Sequence, residues 1–197
     1  MTLRIVIPVK PFAEAKQRLS PVMAPEARAK LVADMFKHVF ATARLVVEAQ
    51  AVIVLSRDRD VLALAEAGRA TALIETTRPD LNAALSQAAQ FGRANGASKL
   101  LILVSDLPLL CKSDLVAMIE QTCVVAPDRH GRGTNALLWP ASASPGFHFG
   151  ENSFALHCAA ARTAGFDPQI VSRRGLGSDV DLPEDLQFLS EALSQQR

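Results

Sequence analysis

The sequence predicts an α/β protein, a single three-layer domain with a mostly parallel sheet. Short segments rich in β-branched residues alternate with longer segments whose apolar residues recur at helical spacing. The run from Leu100 to Val104 is apolar at every position, which is typical of a strand covered on both faces. The chain has 197 residues, enough for one full-sized core, and no repeat or linker divides it. We therefore expect one domain over residues 1–197.

Strands are expected where short apolar runs stand between Gly, Pro and polar residues. The first run is ended by Pro8 and Pro11, and the Leu100 run is the clearest of all. The predicted strands cover residues 4–9, 51–55, 72–74, 99–104, 123–126, 134–139 and 169–172.

Helices are expected where the helical spacing coincides with capping signals. Pro25 suits the first turn of a long helix, Gly68 ends the second helix, and Ser113 is expected to cap the fourth. The predicted helices cover residues 25–47, 58–67, 80–95, 113–121, 153–163 and 183–193.

The bulk composition narrows the classes of partner. The formal net charge is +1, which gives no overall electrostatic reason to expect nucleic acid or an anionic membrane. The N-terminus does not read as a signal peptide, and no apolar run approaches the roughly 20 residues that span a bilayer. The three widely spaced cysteines are expected to be buried or half-buried thiols in a reducing compartment. These observations predict a cytoplasmic protein.

In sheets of this kind ligands bind beyond the carboxyl ends of the strands. The loops after Val9, Val104 and Trp139, and the irregular stretch before the last helix, are therefore the expected ligand-binding segments. The first of these loops carries three cations, Lys10, Lys16 and Arg18. Their position suits the binding of phosphate groups, although a solvated basic loop is the alternative, and there is no Walker-type motif.

Three acidic residues are candidate metal ligands. Asp106 directly follows the buried strand, and Asp179 and Asp181 flank Val180 so that an extended chain would point both carboxylates to one side. Neighbouring carboxylates are costly unless a cation neutralises them, and magnesium favours such ligands together with phosphate oxygens. The alternatives are a turn or helix cap for Asp106 and a cap of the last helix for Asp181.

A second candidate region combines backbone amides and short hydroxyls. It comprises Gly133-Thr134 and the stretch from Phe147 to Ser153, which runs into a predicted helix. Free N–H groups at a helix start favour anions, so this region suits a phosphorylated or carboxylated acceptor. A plain cap role for Ser153 is the alternative. His148 and His157 show no metal-ligand spacing and are expected at the surface or in the core.

Together these segments resemble the guanylyltransferases of deazaflavin coenzyme F-420 biosynthesis. The similarity covers nearly the whole chain. It rests on residues 7–10, 15–16, 18–21, 81–85, 106–108, 133–138, 149–150, 153–154, 157, 179–181 and 183–186. Ser105 and Asp80 depart from the family pattern, since each stands where Gly is expected.

The resemblance implies a fold like that of the nucleotide-diphospho-sugar transferases, and it implies roles for individual residues. The implied magnesium ligands are Asp106, Asp179 and Asp181, and the implied acceptor contacts are Thr134, Gly150 and Ser153. Lys10, Lys16 and Arg18 would hold the triphosphate, with Asn82 near the nucleotide, and Asp106 and Lys16 are the expected catalytic residues.

The predicted function is transfer of GMP from GTP to a small phosphorylated acid with release of pyrophosphate. The implied acceptors are 3-phospho-D-glycerate, 2-phospho-L-lactate and phosphoenolpyruvate, and the Ala-rich composition, typical of a bacterial protein, favours the first. The alternatives are a nucleotidyltransferase that uses molybdopterin or a sugar phosphate, and a non-catalytic nucleotide-binding regulator. Magnesium is the expected cofactor, and the sequence leaves open whether the protein forms a homodimer.

Overall fold

The computed structural model describes residues 2–76, 80–143 and 145–194, and it confirms the predicted fold class. Seven strands form one sheet. They are β1 (Leu3–Pro8), β2 (Val52–Ser56), β3 (Thr71–Ile74), β4 (Lys99–Leu103), β5 (Val124–Pro127), β6 (Thr134–Pro140) and β7 (Gln169–Ile170). Each lies within a few residues of a predicted strand, because the buried apolar runs that mark them are local in sequence.

The sheet has the order β3-β2-β1-β4-β6-β5-β7, and only β6 runs antiparallel to its neighbours. The direction of β6 corrects one expectation. Because Pro140 pairs with Lys99 at the amino end of β4, the loop after Trp139 leaves from the edge opposite the ligand-binding crevice. The start of β6, at Thr134, lies instead beside the carboxyl ends of the parallel strands.

Seven α-helices accompany the strands within the described residues. They are α1 (Pro25–Ala43), α2 (Arg59–Ala67), α3 (Leu81–Ala94), α4 (Lys112–Ile119), α5 (Ser153–Thr163), α6 (Arg174–Gly177) and α7 (Pro183–Ser194). The predicted bounds of α5 are confirmed at both ends, whereas α1 ends four residues before the expected residue 47. The four-residue helix α6 was not predicted, since it is too short to show a period.

The cap predicted for α4 was wrong. Cys111, not Ser113, is the N-cap residue, and its backbone N–H donates to the Asp114 carboxylate over 3.0 Å. The Cys111 thiol donates to the same carboxylate over 3.1 Å, so the Asp114 side chain binds both polar groups of the cap residue.

Helices cover both faces of the sheet. Phe36 of α1, Leu115 of α4 and Leu176 of α6 belong to the core on one face. Leu85 of α3 and Cys158 of α5 belong to the core on the other. This arrangement is the predicted three-layer architecture.

A third, smaller apolar cluster joins two segments that are far apart in sequence. Ala15 and Leu19 from the loop after β1 pack with Val180, which is 1% exposed, and with Val32 and Met35 of α1. Because Ala15 precedes Lys16 and Val180 precedes Asp181, burial of these apolar neighbours brings the two charged side chains to the same place.

The cysteines follow the expectation in part. Cys123 and Cys158 are buried, but Cys111 at the start of α4 is exposed. Among the described residues, no helix combines the length and the apolar character that crossing a membrane requires.

Candidate active site

An ion cluster at the carboxyl edge of the sheet centres on Lys16. Its Nζ atom contacts Oδ2 of Asp106, just beyond β4, and lies 2.6 Å from Oδ1 of Asp181. The Lys16 side chain is 8% exposed, whereas that of Asp181 is 48% exposed, so the cluster is buried on the Lys16 side and open to solvent at Asp181. Both residues predicted to be catalytic therefore lie in direct contact.

The backbone of Lys16 is in the left-handed region, with φ of 54° and ψ of 40°. A non-Gly residue adopts this conformation at a cost of order 1 kcal/mol, and it persists where surrounding packing enforces it. Here the buried neighbours Ala15 and Leu19 hold the loop. Burial alone would lower the pKa of the Lys16 ammonium, but Asp106 and Asp181 raise it above its ordinary value, so the side chain stays charged.

Asp179 joins the cluster through a different partner. Its Oδ1 atom accepts a hydrogen bond of 2.9 Å from Nδ2 of Asn135, which also donates to the Leu176 carbonyl oxygen over 2.8 Å. Burial raises the pKa of Asp179 to about 6, and the neighbouring Asp106 and Asp181 carboxylates add to the rise against the Asn135 hydrogen bond. The raised pKa of Asp179 thus reflects chiefly its burial, with the two neighbouring carboxylates as a smaller cause.

A β-bulge directs Asn135 to this position. Ala136 pairs with Ala126 and Thr134 pairs with Pro127, so Asn135 is an extra residue in β6. Without it, Asn135 would share the face of Leu137, which packs towards α5. The bulge turns Asn135 towards Asp179 and Thr134 towards α5, which is a common use of bulges near functional sites.

Asp185 and Arg129 support the acidic segment, and sequence reasoning assigned neither of them to the site. Oδ2 of Asp185 accepts hydrogen bonds of 2.7 Å from the backbone N–H groups of Asp181 and Leu182, while its Oδ1 pairs with Arg129. The cap role considered for Asp181 therefore belongs to Asp185, whose position two residues after Pro183 was the available signal. Although burial opposes it, these partners hold the pKa of Asp185 below its usual range.

A cavity of about 140 Å³ opens beside Asp179 and Asp181. Arg18, predicted to bind phosphate, lines it, as do Arg129 and Arg132 from the turn after β5. Asp128 shapes that turn by accepting hydrogen bonds from the backbone N–H groups of residues 130, 132 and 133, over 2.8–2.9 Å. The cavity thus combines carboxylates with basic side chains, as a site for metal-bound phosphates requires.

Lys10, the remaining predicted phosphate ligand, is exposed and forms no ion pair within the described residues. It lies after β1 at the same edge, and its role in phosphate binding stays a prediction.

The predicted acceptor residues lie on the α5 side of the bulge. Oγ1 of Thr134 is 2.9 Å from Nδ1 of His157, a residue of α5 that is 0% exposed. Ser153 is buried in the first turn of α5, and Gly150 just before it has φ of 134°, which a residue with a Cβ would adopt only under strain. Thr134, Gly150 and Ser153 thus belong to one region, built around a histidine that had been assigned to the surface or the core.

Asn82, predicted to lie near the nucleotide, binds the chain just before Gly150. Its Oδ1 atom accepts from the Phe149 backbone N–H over 2.8 Å, and its Nδ2 atom donates to the Phe149 carbonyl oxygen over 3.1 Å. Asn82 at the start of α3 therefore anchors the segment that leads to the predicted acceptor residues Gly150 and Ser153, and its proximity to the nucleotide stays a prediction.

The predicted metal ligands do not form a complete metal site within the described residues. Across residues 2–76, 80–143 and 145–194, no three acidic, histidine or cysteine side chains converge as a metal site would require. The Lys16 ammonium instead lies between Asp106 and Asp181. The donor chemistry nevertheless suits a hard cation, since Asp106 and Asp181 share the Lys16 ammonium and both raise the pKa of the neighbouring Asp179 carboxylate.

The buried His157 predicts a pH-dependent stability. Burial, with the nearby His148, lowers the pKa of His157 from 6.5 to about 4. The unfolded chain therefore binds a proton that the folded chain excludes, so this contribution is complete above pH 6.5 and is lost as the pH falls towards 4. At about 1.4 kcal/mol per pKa unit, the loss is about 3 kcal/mol.

Urea unfolding of the wild type and of His157→Asn at pH 7.5 and pH 4.5 would measure this contribution. The difference in unfolding free energy between the two proteins should shrink at the lower pH. The subtraction is necessary because Asp179, whose pKa is raised to about 6, titrates over the same range in the opposite sense. A difference that did not change with pH would contradict the prediction.

Sequence comparison connects this geometry to a protein family. Residues 3–191 match the model of a family described as "Guanylyl transferase CofC like". The phosphoenolpyruvate guanylyltransferase of Sphaerobacter thermophilus is 35% identical over 200 residues, covering 96% of this chain and 93% of the relative. The 2-phospho-L-lactate guanylyltransferase of Methanothermobacter thermautotrophicus is 36% identical over 185 residues, covering 92% and 81%.

Solved structures agree on the fold. A protein described as a nucleotide-diphospho-sugar transferase, from Desulfovibrio desulfuricans, superposes with a TM-score of 0.76 at 18% identity, covering 95% of this chain and 86% of that one. A nucleotidyl transferase from Methanothermobacter gives a TM-score of 0.68 at 15% identity, with 100% and 99% covered. At such identities the likeness supports the architecture alone.

Proposed function

The chain belongs to the CofC-like guanylyl transferase family, and from this premise we propose that it transfers GMP from GTP to a small phosphorylated three-carbon acid, with release of pyrophosphate. We assign the reaction to the cytoplasm and to coenzyme F-420 biosynthesis. The named relatives act on phosphoenolpyruvate or 2-phospho-L-lactate, so we place phosphoenolpyruvate first among the acceptors, ahead of the 3-phospho-D-glycerate favoured by composition.

The observation that carries the proposal is the contact of Lys16 with Asp106 and Asp181 beside a cavity lined by basic side chains. Phosphoryl transfer needs positioning and charge neutralisation more than covalent chemistry from the protein. The Lys16 ammonium is held at a defined point, and Arg18 borders the adjoining cavity. Both are suited to the oxygens of a triphosphate.

The reaction balances without a strong general base. An oxygen of the acceptor phosphate forms a bond to the α-phosphorus of GTP, and the bond from that phosphorus to the bridging oxygen of the β-phosphate breaks. Pyrophosphate leaves with the electron pair. Since the second pKa of a phosphomonoester is about 6, the attacking group is largely dianionic at pH 7.

Asp106, Asp179 and Asp181 are the residues that would hold magnesium. When bound, the ion would neutralise phosphate charge and orient both reactants. Asn135 and Asp185 keep the acidic segment in place, the first through the Asp179 carboxylate and the second through the backbone of Asp181.

The acceptor would be held between β6 and the start of α5. The Thr134 hydroxyl lies at the start of β6, and the positive end of the α5 dipole, at Ser153, favours an anion. The backbone N–H groups of Ser153 and Phe154 already donate to the Gly150 and Arg132 carbonyl oxygens. Gly150, lacking a Cβ, leaves the backbone open to close approach. An acid that carries a carboxylate and a phosphate on one three-carbon unit would suit this hydroxyl and this helix terminus.

The test is pyrophosphate release from GTP and magnesium with each of the three acids in turn, and without any acid. We expect release with at least one acid and none in its absence. Parallel reactions with ATP and CTP would measure the preference for guanine. If a protein shown to bind GTP released no pyrophosphate with any of the three acids, the acceptor assignment would be refuted. A molybdopterin or sugar-phosphate acceptor, or a regulatory role, would then be favoured.

A further inference from the structure

His157 contacts both parts of the proposed acceptor site although it lies wholly inside the protein. Its Nδ1 atom is 2.9 Å from Oγ1 of Thr134, and its Nε2 atom lies 2.9 Å from the backbone nitrogen of His148. One imidazole thus joins the start of β6 to the chain that leads to Gly150. No step of the reaction described above uses this ring.

The contact with His148 determines where the ring carries its hydrogen. A backbone N–H can only donate, so Nε2 must accept and therefore carries no hydrogen. The ring is neutral at pH 7, because burial lowers its pKa to about 4, and a neutral imidazole then carries its hydrogen on Nδ1. The geometry of the His148 contact alone excludes the other neutral tautomer.

The tautomer in turn orients the Thr134 hydroxyl. Because Nδ1–H donates, Oγ1 of Thr134 accepts, and the hydroxyl hydrogen must point elsewhere. A carboxylate or phosphate oxygen can only accept, so a hydroxyl oriented in this way is ready to donate to an anionic acceptor. With the opposite tautomer the hydroxyl would donate to the ring and be lost to the substrate.

We propose that His157 is a positioning residue for the acceptor acid, which it serves by orienting the Thr134 hydroxyl as a donor and by anchoring the backbone of residue 148. The inference rests on the proposed function and deepens it, since it names the residue that prepares the acceptor site. Asn82 complements it by binding both polar backbone atoms of Phe149.

Two substitutions separate the two contacts. His157→Gln keeps an acceptor near the position of Nε2 but removes the donor to Thr134. His157→Asn keeps a donor near the position of Nδ1 but is too short to reach residue 148. We expect His157→Gln to raise the KM for the acceptor about tenfold, as for loss of one hydrogen bond to a charged group, with kcat and the KM for GTP changed less than about twofold.

A double-mutant cycle with Thr134→Val tests whether His157 acts through Thr134. In the Thr134→Val background, His157→Gln should change the acceptor KM by less than about twofold, because the hydroxyl that it orients is gone. Cys158→Ala, a buried change on the same helix, is the matched control and should leave both KM values unchanged. Additive effects in the cycle, or an equal rise in the KM for GTP, would identify His157 as merely structural and overturn the proposal.

Nitrogen-15 NMR of the histidine rings in the wild-type protein provides a test that needs no variant. The expected result is a neutral His157 ring with hydrogen on Nδ1, and an Nε2–H tautomer or a charged ring at pH 7 would overturn the proposal. A wild type without turnover on any of the three acids would refute the proposed function and the acceptor role of His157 together. If the wild type is active and the effects of His157→Gln and Thr134→Val on the acceptor KM are additive, the role of His157 alone would be refuted.

Discussion

Asp106→Asn is expected to lower kcat for pyrophosphate release at least about 10³-fold, which corresponds to roughly 4 kcal/mol of transition-state stabilisation. The carboxylate contacts Lys16 at the carboxyl end of β4 and is one of the three proposed magnesium ligands. An amide of the same size keeps the shape of the site but removes the negative charge. The loss should therefore appear in turnover more than in folding, as measured by steady-state kinetics beside a thermal melt.

Asp34→Asn is the matched control, since Asp34 is a solvent-exposed carboxylate of α1 that also pairs with a lysine, Lys30. Its activity should equal that of the wild type. If Asp106→Asn retained more than about a tenth of wild-type turnover, Asp106 would not hold the reacting groups and the proposed catalytic cluster would be wrong. If the wild type showed no turnover and Asp106→Asn bound GTP normally, a regulatory role would be favoured instead.

Lys16→Met is expected to lower kcat/KM for GTP by about 10²-fold or more, because it removes the cation that lies between Asp106 and Asp181. It should also destabilise the fold by at most about 2 kcal/mol, a figure reduced from that for a buried pair because Asp181 is half exposed. Methionine has nearly the same length and burial, so lost charge rather than lost packing would account for both effects.

Two comparisons make the Lys16 result specific. Lys16→Arg restores the charge and should recover most of the stability, but not the activity, because a planar guanidinium does not occupy the single point that an ammonium does. Lys30→Met changes an exposed lysine of α1 and should leave both quantities unchanged. Wild-type kcat/KM for GTP in Lys16→Met would show that Lys16 only balances charge in the free protein.

Several features of the site could be predicted from sequence because their signals are local. Asp106 stands at the end of a fully apolar strand, and the alternation in Asp179-Val180-Asp181 separates two polar residues from an apolar one that is buried. Strand ends and alternation depend on a few adjacent residues, so the placement of these carboxylates at one edge of the sheet was predictable.

Other parts of the site could not be predicted, because they depend on pairings across the chain. Asp185 was given no role in the site, yet it binds the backbone N–H groups of residues 181 and 182 and pairs with Arg129, 56 residues away. His157 lacked a metal-ligand partner and was therefore assigned to the surface or the core. Its contacts with Thr134 and residue 148 arise only where α5 packs beside β6.

The sequence by itself determined the α/β class, the order of the strands along the chain, the family and the residues at the ends of the strands, since burial periodicity, punctuation by Gly and Pro, and motif order are properties of neighbouring residues. Only the tertiary structure decided the antiparallel direction of β6, the bulge at Asn135 and the meeting of Lys16 with Asp181. The physical reason is that strand direction and register minimise the free energy of the whole sheet with both of its helical layers. No single segment carries that information, and the packing of the whole sheet with its helices brings the functional groups together.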